Sequence, residues 1–147
     1  MLSTVTLIEV PGQDEGLRVA LHAADLPTDD IEDEGRTFFR AVSDAGHTIG
    51  YAGIERCAGD ALLRSVVVLP EHRSPGLGRA MVRETLQRVE CSGDVFLATT
   101  SAAPFVSTLG FTEVPRTIVP AAVLATRQLA SICPSSATIM RLSGPPT

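Results

Sequence analysis

The sequence predicts an α/β protein built on one mixed, mostly antiparallel sheet of about six or seven strands with helices on both faces. Three observations lead there. Runs rich in β-formers at 37–43, 47–56 and 61–69 follow one another across the turns Asp44-Ala45-Gly46 and Ala58-Gly59-Asp60, the pattern of an antiparallel meander. The third run passes through Pro70-Glu71-His72 and the loop Arg73-Ser74-Pro75-Gly76-Leu77-Gly78 directly into an amphipathic helix. Strand and helix signals then alternate to the end of the chain.

Taken in order, Thr4–Val10 is a short apolar-rich run stopped by Pro11-Gly12 and reads as the first strand. From Asp14 to Ala24 the apolar residues Leu17, Ala20, Leu21 and Ala24 have helical spacing. Leu26-Pro27 breaks that helix, and Thr28 is placed to cap a short acidic turn through Glu32. In the second meander strand, Ile49, Tyr51 and Gly53 alternate with Gly50, Ala52 and Ile54, so small residues share the sheet with large ones. The helix over 76–90 turns Leu77, Ala80, Met81, Leu86 and Val89 inward and Arg79, Arg83, Glu84, Gln87 and Arg88 outward. Val95–Thr100 reads as a buried strand, 101–109 as a short helix and 110–114 as a strand. Pro120 suits the first turn of a helix that runs to about Ser131, ahead of Pro134, and Ala137–Leu142 is the last strand.

A chain of 147 residues reads as one domain over 1–142, with a mobile tail at 143–147. The net charge of −5 argues against a nucleic-acid surface. All twelve basic residues are arginine, which suits bidentate recognition of anions. No run is apolar enough to span a bilayer and the N-terminus lacks a leader pattern, so a cytoplasmic protein is expected. Cys57, Cys91 and Cys133 are odd in number and have no metal-ligand spacing, so they read as reduced and structural, with no metal site.

A strand that hands a glycine-bearing turn to a helix start builds an anion site, because the first helical N–H groups lack internal partners and carry the positive end of the dipole. A dinucleotide fold would want a third glycine where Met81 stands, and a P-loop would want a lysine, which this chain lacks. The remaining pattern, Arg73-x-x-Gly76-x-Gly78 behind a Val-rich strand, resembles the acetyl-coenzyme A motif of the GNAT N-acetyltransferases. The resemblance extends over nearly the whole chain, including Leu109-Gly110-Phe111. It is closest to the arsenic-resistance N-acetyltransferases of that superfamily, on Leu26-Pro-Thr-Asp-Asp30, on 62–70 and on 126–140 with its Cys133-Pro134-Ser135-Ser136-Ala137.

The resemblance implies a central strand pair, 61–69 and 95–100, that splays to admit pantetheine. Backbone groups along Val66, Val67 and Val68 would meet it, those of Val66 and Val68 directly. It implies that the loop amides of Gly76, Leu77, Gly78 and Arg79 face the pyrophosphate, with Ser74 in the same loop and Arg73 adding charge. Two departures stand out. Pro75 removes one loop donor and biases Ser74 toward an extended conformation. Val106 occupies the position where many relatives carry a tyrosine that protonates the departing thiolate.

Without that tyrosine, positioning and polarisation of the thioester carbonyl by a backbone amide would carry catalysis. Glu55 is the candidate base acting through water, with a plain surface residue as the competing reading, and Tyr51 is the candidate acid or substrate contact. Arg36, Arg64 and Arg116 flank the expected cleft and would meet the acid group of an anionic amino-acid acceptor, such as a phosphinothricin-like organoarsenical. Whether Arg64 or Ser65 faces that cleft depends on strand register. Asp29, Asp30 and Glu32 would meet a cationic amine, or simply face solvent. His47 and His72 read as solvent-facing. The expected activity is therefore acetyl transfer from acetyl-coenzyme A to the primary amine of a small molecule, in a protein that pairs as a homodimer through terminal strands. Two alternatives stay open: a catalytically weak coenzyme A-binding regulatory module, which Val106 supports, and a protein or peptide N-acetyltransferase.

Overall fold

In the computed structural model, described over residues 5–26, 28, 31–32, 35–70, 75–89, 93–99, 103–126 and 137–142, seven strands form one sheet in the order β1-β2-β3-β4-β5-β7-β6. The strands β1 (Val5–Val10), β2 (Arg36–Ser43), β3 (Thr48–Cys57) and β4 (Asp60–Val68) are successive antiparallel neighbours. β5 (Val95–Thr99) lies parallel to β4, while β7 (Thr138–Leu142) pairs antiparallel with both β5 and the edge strand β6 (Thr112–Val114). The helices are α1 (Glu15–Ala23), α2 (Pro75–Gln87), α3 (Ala103–Ser107) and α4 (Ala121–Leu124). This is the mixed, mostly antiparallel α/β sheet expected from the pattern of apolar runs and turns.

Each face of the sheet is buried by two helices. On one face α2 and α3 pack Met81, Val82, Leu86 and Val106 against Leu7, Phe39, Ile54, Leu63 and Leu97. On the other, α1 sets Leu17 and Leu21 against Phe38, Tyr51 and Val67, and α4 sets Val123 against Leu62, Phe96 and Ile139. The buried stripe of α2 is wider than its apolar spacing suggested, since Val82 and Thr85 are also buried. The helix bridges two halves of the core, and the Thr85 hydroxyl is satisfied by donating to the Met81 carbonyl at 2.8 Å.

Local chemistry sets the helix ends. Asp14 caps α1, its carboxylate accepting from the Leu17 N–H at 2.9 Å. At the far end Asp25 turns left-handed (φ 57°), and the Leu26 N–H reaches back to the Leu21 carbonyl at 2.9 Å. Asp14→Ala should cost about 1 kcal/mol and lower the thermal midpoint by a few degrees in a denaturation scan.

Leu109-Gly110-Phe111 closes α3 in the same manner. Gly110 is left-handed (φ 101°), the Phe111 N–H bonds the Val106 carbonyl at 3.3 Å and the Gly110 N–H bonds the Ser107 carbonyl at 3.2 Å. This Schellman geometry brings Phe111 onto Val106 inside the core. Pro75 turns out to be the first residue of α2, where a missing N–H removes one of the orphan donors and costs the helix nothing. The helix expected from Pro120 to about Ser131 is observed as Ala121–Leu124, and residues beyond Thr126 to 136 lie outside the described residues.

Candidate functional site

The central strands part soon after they meet. The β4–β5 ladder comprises Ala61↔Val95 and Leu62↔Phe96, after which β5 continues in register with β7 alone, through Thr99↔Thr138. Beyond Leu62 and Phe96 the two strands form no ladder, and the resulting slot follows β4 toward the start of α2, so an extended ligand pairing along β4 there would point its end at the first amides of that helix. Gly78 sits at that mouth. A Cβ built there would lie 3.5 Å from Val68 Cγ2 and 3.8 Å from Phe105 Cζ, ordinary contacts that would narrow the opening between β4 and α3 without straining the fold. Arg79 holds the far wall in place by donating to the Thr108 hydroxyl at 3.1 Å and to the Thr108 carbonyl at 3.2 Å.

A bulge decides which groups of β4 face the slot. The β3–β4 register moves from Gly53↔Arg64 to Tyr51↔Val67, so Ser65 and Val66 together oppose Ala52. Ser65 carries the irregularity as a non-glycine residue in the left-handed region (φ 57°). Its effect shows in two hydrogen bonds. The Ala61 N–H donates to Asp94 at 3.0 Å, on the β5 side, whereas the Leu69 N–H donates to Ile49 at 2.8 Å, on the β3 side. In an unbroken strand, residues an even number apart present their N–H groups to the same edge. The extra residue therefore inverts the strand. Val66 and Val68 turn their peptide groups toward the slot and their side chains toward α2, while Val67 packs against α1.

A strand that parts from its neighbour, a bulge beside the gap and a helix start beyond it form a cradle for a long phosphate-bearing ligand. The sequence also matches the family model for the acetyltransferase (GNAT) domain over residues 34–113. The chain belongs to the GNAT acetyltransferases. Solved GNAT structures share its fold. A GNAT-family acetyltransferase from Staphylococcus aureus Mu50 superposes with a TM-score of 0.64 at 16% identity, covering 95% of this chain and 99% of that one. N-acetylglutamate synthase from Neisseria gonorrhoeae, solved with coenzyme A and N-acetylglutamate, gives 0.69 at 14% identity over 97% of this chain and 36% of its own. A chimera of the Vibrio cholerae spermidine N-acetyltransferase gives 0.61 at 14% identity, covering 95% of both. No curated protein matches the sequence.

Three residues assigned to chemistry from the sequence of this GNAT protein come together as one buried ion cluster. Glu55 is 5% exposed; its Oε1 lies 3.0 Å from Arg64 Nη1 and its Oε2 lies 3.2 Å from Arg36 Nη2. With both oxygens engaged by guanidinium groups, Glu55 has the environment of a structural ion centre and not of a base reached through water. Arg36 and Arg64 are correspondingly committed to Glu55, so the geometry does not favour them as readers of an acceptor's acid group. Arg64 faces the α1 side of the sheet, with its guanidinium 5.9 Å from the centroid of the Phe38 ring. Arg116 stands apart, at the start of the 3₁₀ turn Arg116–Ile118 between β6 and α4. Glu32, a candidate for meeting a cationic amine, pairs with Arg18 on the outer face of α1 at 2.7 Å. Arg73, Ser74, His72, Asp29 and Asp30 lie outside the described residues.

Tyr51 is placed directly opposite Val67 on β4, and its hydroxyl packs against Gly16 in the first turn of α1. Burial raises its pKa above the usual phenol value; the nearby Asp14 carboxylate adds to this and Arg40 opposes it. The phenol therefore keeps its proton at neutral pH. Val106, where the family resemblance leads to the expectation of a tyrosine, is 5% exposed and serves the core, because the α3 cap turns it onto Phe111.

Cys57 has a packing role. It is buried among Leu62, Phe96, Val119 and Val123, and its thiol pKa is pushed up to about 12, first by burial and then by Glu55 and Asp60, with Arg36 opposing. The folded state thus favours the thiol form. That contribution is complete below the unfolded thiol pKa of roughly 8.5 and is lost as pH rises from there toward about 12. Tyr51 adds a loss of the same sign at alkaline pH. Denaturant titrations should therefore show stability falling from pH 8 to pH 10.5, and iodoacetamide at pH 8 should leave Cys57 unlabelled in peptide mass spectra until the protein unfolds.

Proposed function

We propose that this GNAT acetyltransferase moves the acetyl group of acetyl-coenzyme A to the primary amine of a small molecule, with the β4–β5 slot as the pantetheine site and the first amides of α2 as the pyrophosphate site. One observation carries this reading: the bulge at Ser65 turns Val66 and Val68 toward a slot that ends at the glycine-bearing start of α2. Acetyl-coenzyme A supplies an activated thioester when bound. The chain's own part is to align it along Val66 and Val68, to meet phosphate with the amides of Gly76, Leu77, Gly78 and Arg79, and to close the slot with Phe105 across from Gly78. Arg73 and Ser74 belong to the same loop and complete the phosphate site. Tyr51 brings a protonated hydroxyl to the α1 side of the sheet, opposite Val67, which suits contact with the acceptor or delivery of a proton. The domain is read as residues 1–142, and a homodimer through terminal strands is the assembly to test.

The acceptor follows from less. Two of the three arginines expected to meet an anionic acceptor are engaged by Glu55. An organoarsenical or phosphinothricin-like amino acid, which the resemblance to arsenic-resistance enzymes suggests, would then have to meet groups other than Arg36 and Arg64 around the slot. The solved neighbours include enzymes named for an amino acid and for a polyamine product or substrate, so both classes belong in the screen.

Calorimetric titration with acetyl-coenzyme A, followed by detection of free thiol in the presence of amines, tests the reading. Micromolar binding and amine-dependent thiol release are expected. Binding without release for any amine or peptide would leave a coenzyme A-binding regulatory module, and no binding by folded protein would remove the acetyltransferase reading.

A further inference from the structure

The buried cluster around Glu55 touches the bulge. Arg64 uses its Nη1 on Glu55 at 3.0 Å and its Nε on the Ser65 hydroxyl at 3.2 Å. Ser65 is the residue whose left-handed backbone inverts β4. The side chain that grips the bulge is itself fixed from three directions. Glu55 anchors the guanidinium and is anchored in turn by Arg36 from β2. The Phe38 ring lies beneath it. The ring can reach across β3 because residue 53 is glycine, where a Cβ would come within 2.7 Å of the ring carbons Cδ1 and Cε1. The arginine side chain is fully buried, with none of its surface exposed.

We infer that Arg36, Glu55 and Arg64 are positioning residues that clamp Ser65 and thereby hold β4 in the phase that turns Val66 and Val68 into the slot. This rests on the slot being the acetyl-coenzyme A site, as proposed above. A non-glycine residue in the left-handed region persists only where its surroundings over-determine it. The backbone ladder alone does not do so at Ser65, since the bulge is where that ladder slips. A charge-assisted bond from a guanidinium with no rotational freedom left supplies the missing constraint. Arginine is needed for geometric reasons: its planar fork serves Glu55 and Ser65 at once, whereas a single ammonium serves one of them well.

The test uses Ser65→Ala, Ser65→Gly and Arg64→Lys in the full chain. The serine variants remove the clamped hydroxyl while leaving the ion cluster whole, and glycine additionally relieves the left-handed strain. Arg64→Lys keeps the charge beside Glu55. Ser65→Ala and Arg64→Lys should give folded protein, a rise of about tenfold in KM for acetyl-coenzyme A, an amine KM within twofold of the original, and faster amide hydrogen exchange confined to residues 65–68. Ser65→Gly, which adopts the left-handed region without a clamp, should lose less. A merely structural role would lower the thermal midpoint without splitting the two KM values. A Ser65→Ala protein that keeps both the original exchange rates at 65–68 and the original KM for acetyl-coenzyme A would overturn the clamp. The proposed function fails by a different route, when the unmodified protein itself binds no acetyl-coenzyme A.

Discussion

Glu55→Ala should be the most damaging single substitution in the sheet, lowering stability by about 3–5 kcal/mol. The reason is charge left behind. Arg64 and Arg36 have side chains 0% and 9% exposed, and the carboxylate that takes both of them is Glu55. Removing it takes that carboxylate from two guanidinium groups in a low-dielectric layer between the sheet and α1, where hydration cannot replace it. A domain of this size has a total stability of only about 5–15 kcal/mol, so the loss would take a large share of it and lower the thermal midpoint by roughly 10 °C or more. Urea denaturation followed by circular dichroism measures this directly. The control is the triple change Arg36→Leu, Glu55→Leu, Arg64→Met, which removes all three charges together. It should cost far less than Glu55→Ala alone, because a buried ion cluster contributes little net stability against apolar residues of similar volume. Equal losses in the two proteins would mean that packing volume, and not stranded charge, sets the cost.

Gly78→Glu should abolish detectable binding of acetyl-coenzyme A, a loss of at least 100-fold, while leaving the protein folded. The Cβ is accommodated at 3.5 Å from Val68 and 3.8 Å from Phe105, so the backbone need not move. The rest of the side chain must then enter the mouth of the slot, bringing a carboxylate to the positive end of α2. A carboxylate there is favourable for the helix and unfavourable for a pyrophosphate, so stability and affinity should change in opposite directions. Gly78→Ala is the graded companion, with a smaller loss from narrowing alone. Calorimetry for affinity and thermal melting for stability separate the two effects. Retained binding by Gly78→Glu would move the phosphate site away from this helix.

Punctuation made much of the fold legible. Turn residues at Asp44-Ala45-Gly46, where Gly46 is left-handed (φ 86°), and the Pro-Gly stop after β1 mark strand ends by local backbone chemistry that a sequence displays openly. The loop before α2 was legible for the same reason, as its glycines and proline have few other uses. The interior of β4 was not. Val66-Val67-Val68 reads as an evenly buried run, and nothing in Arg64-Ser65 announces that the strand changes phase between them, because serine carries no conformational signature of the left-handed region. Nor could Glu55 be seen as an ion centre. Its partners lie on two other strands, and pairing across a sheet depends on register that a slip of one residue would undo. The packing role of Val106, as the inner contact of a helix cap, appears only once Gly110 and Phe111 are folded against it.

The inversion at Ser65 also bears on how the gene can change. β4 consists of two half-strands out of step by one residue, so an in-frame loss of codon 65 would leave an uninterrupted ladder with β3 and satisfy every hydrogen-bond count. It would keep Val67 toward α1 and Val66 and Val68 toward α2, because the bulge sets two residues of β4 against Ala52 and the deletion leaves one. Such a deletion would remove the bulge alone, with its left-handed residue and the hydroxyl that Arg64 holds, and leave both faces of the core in place.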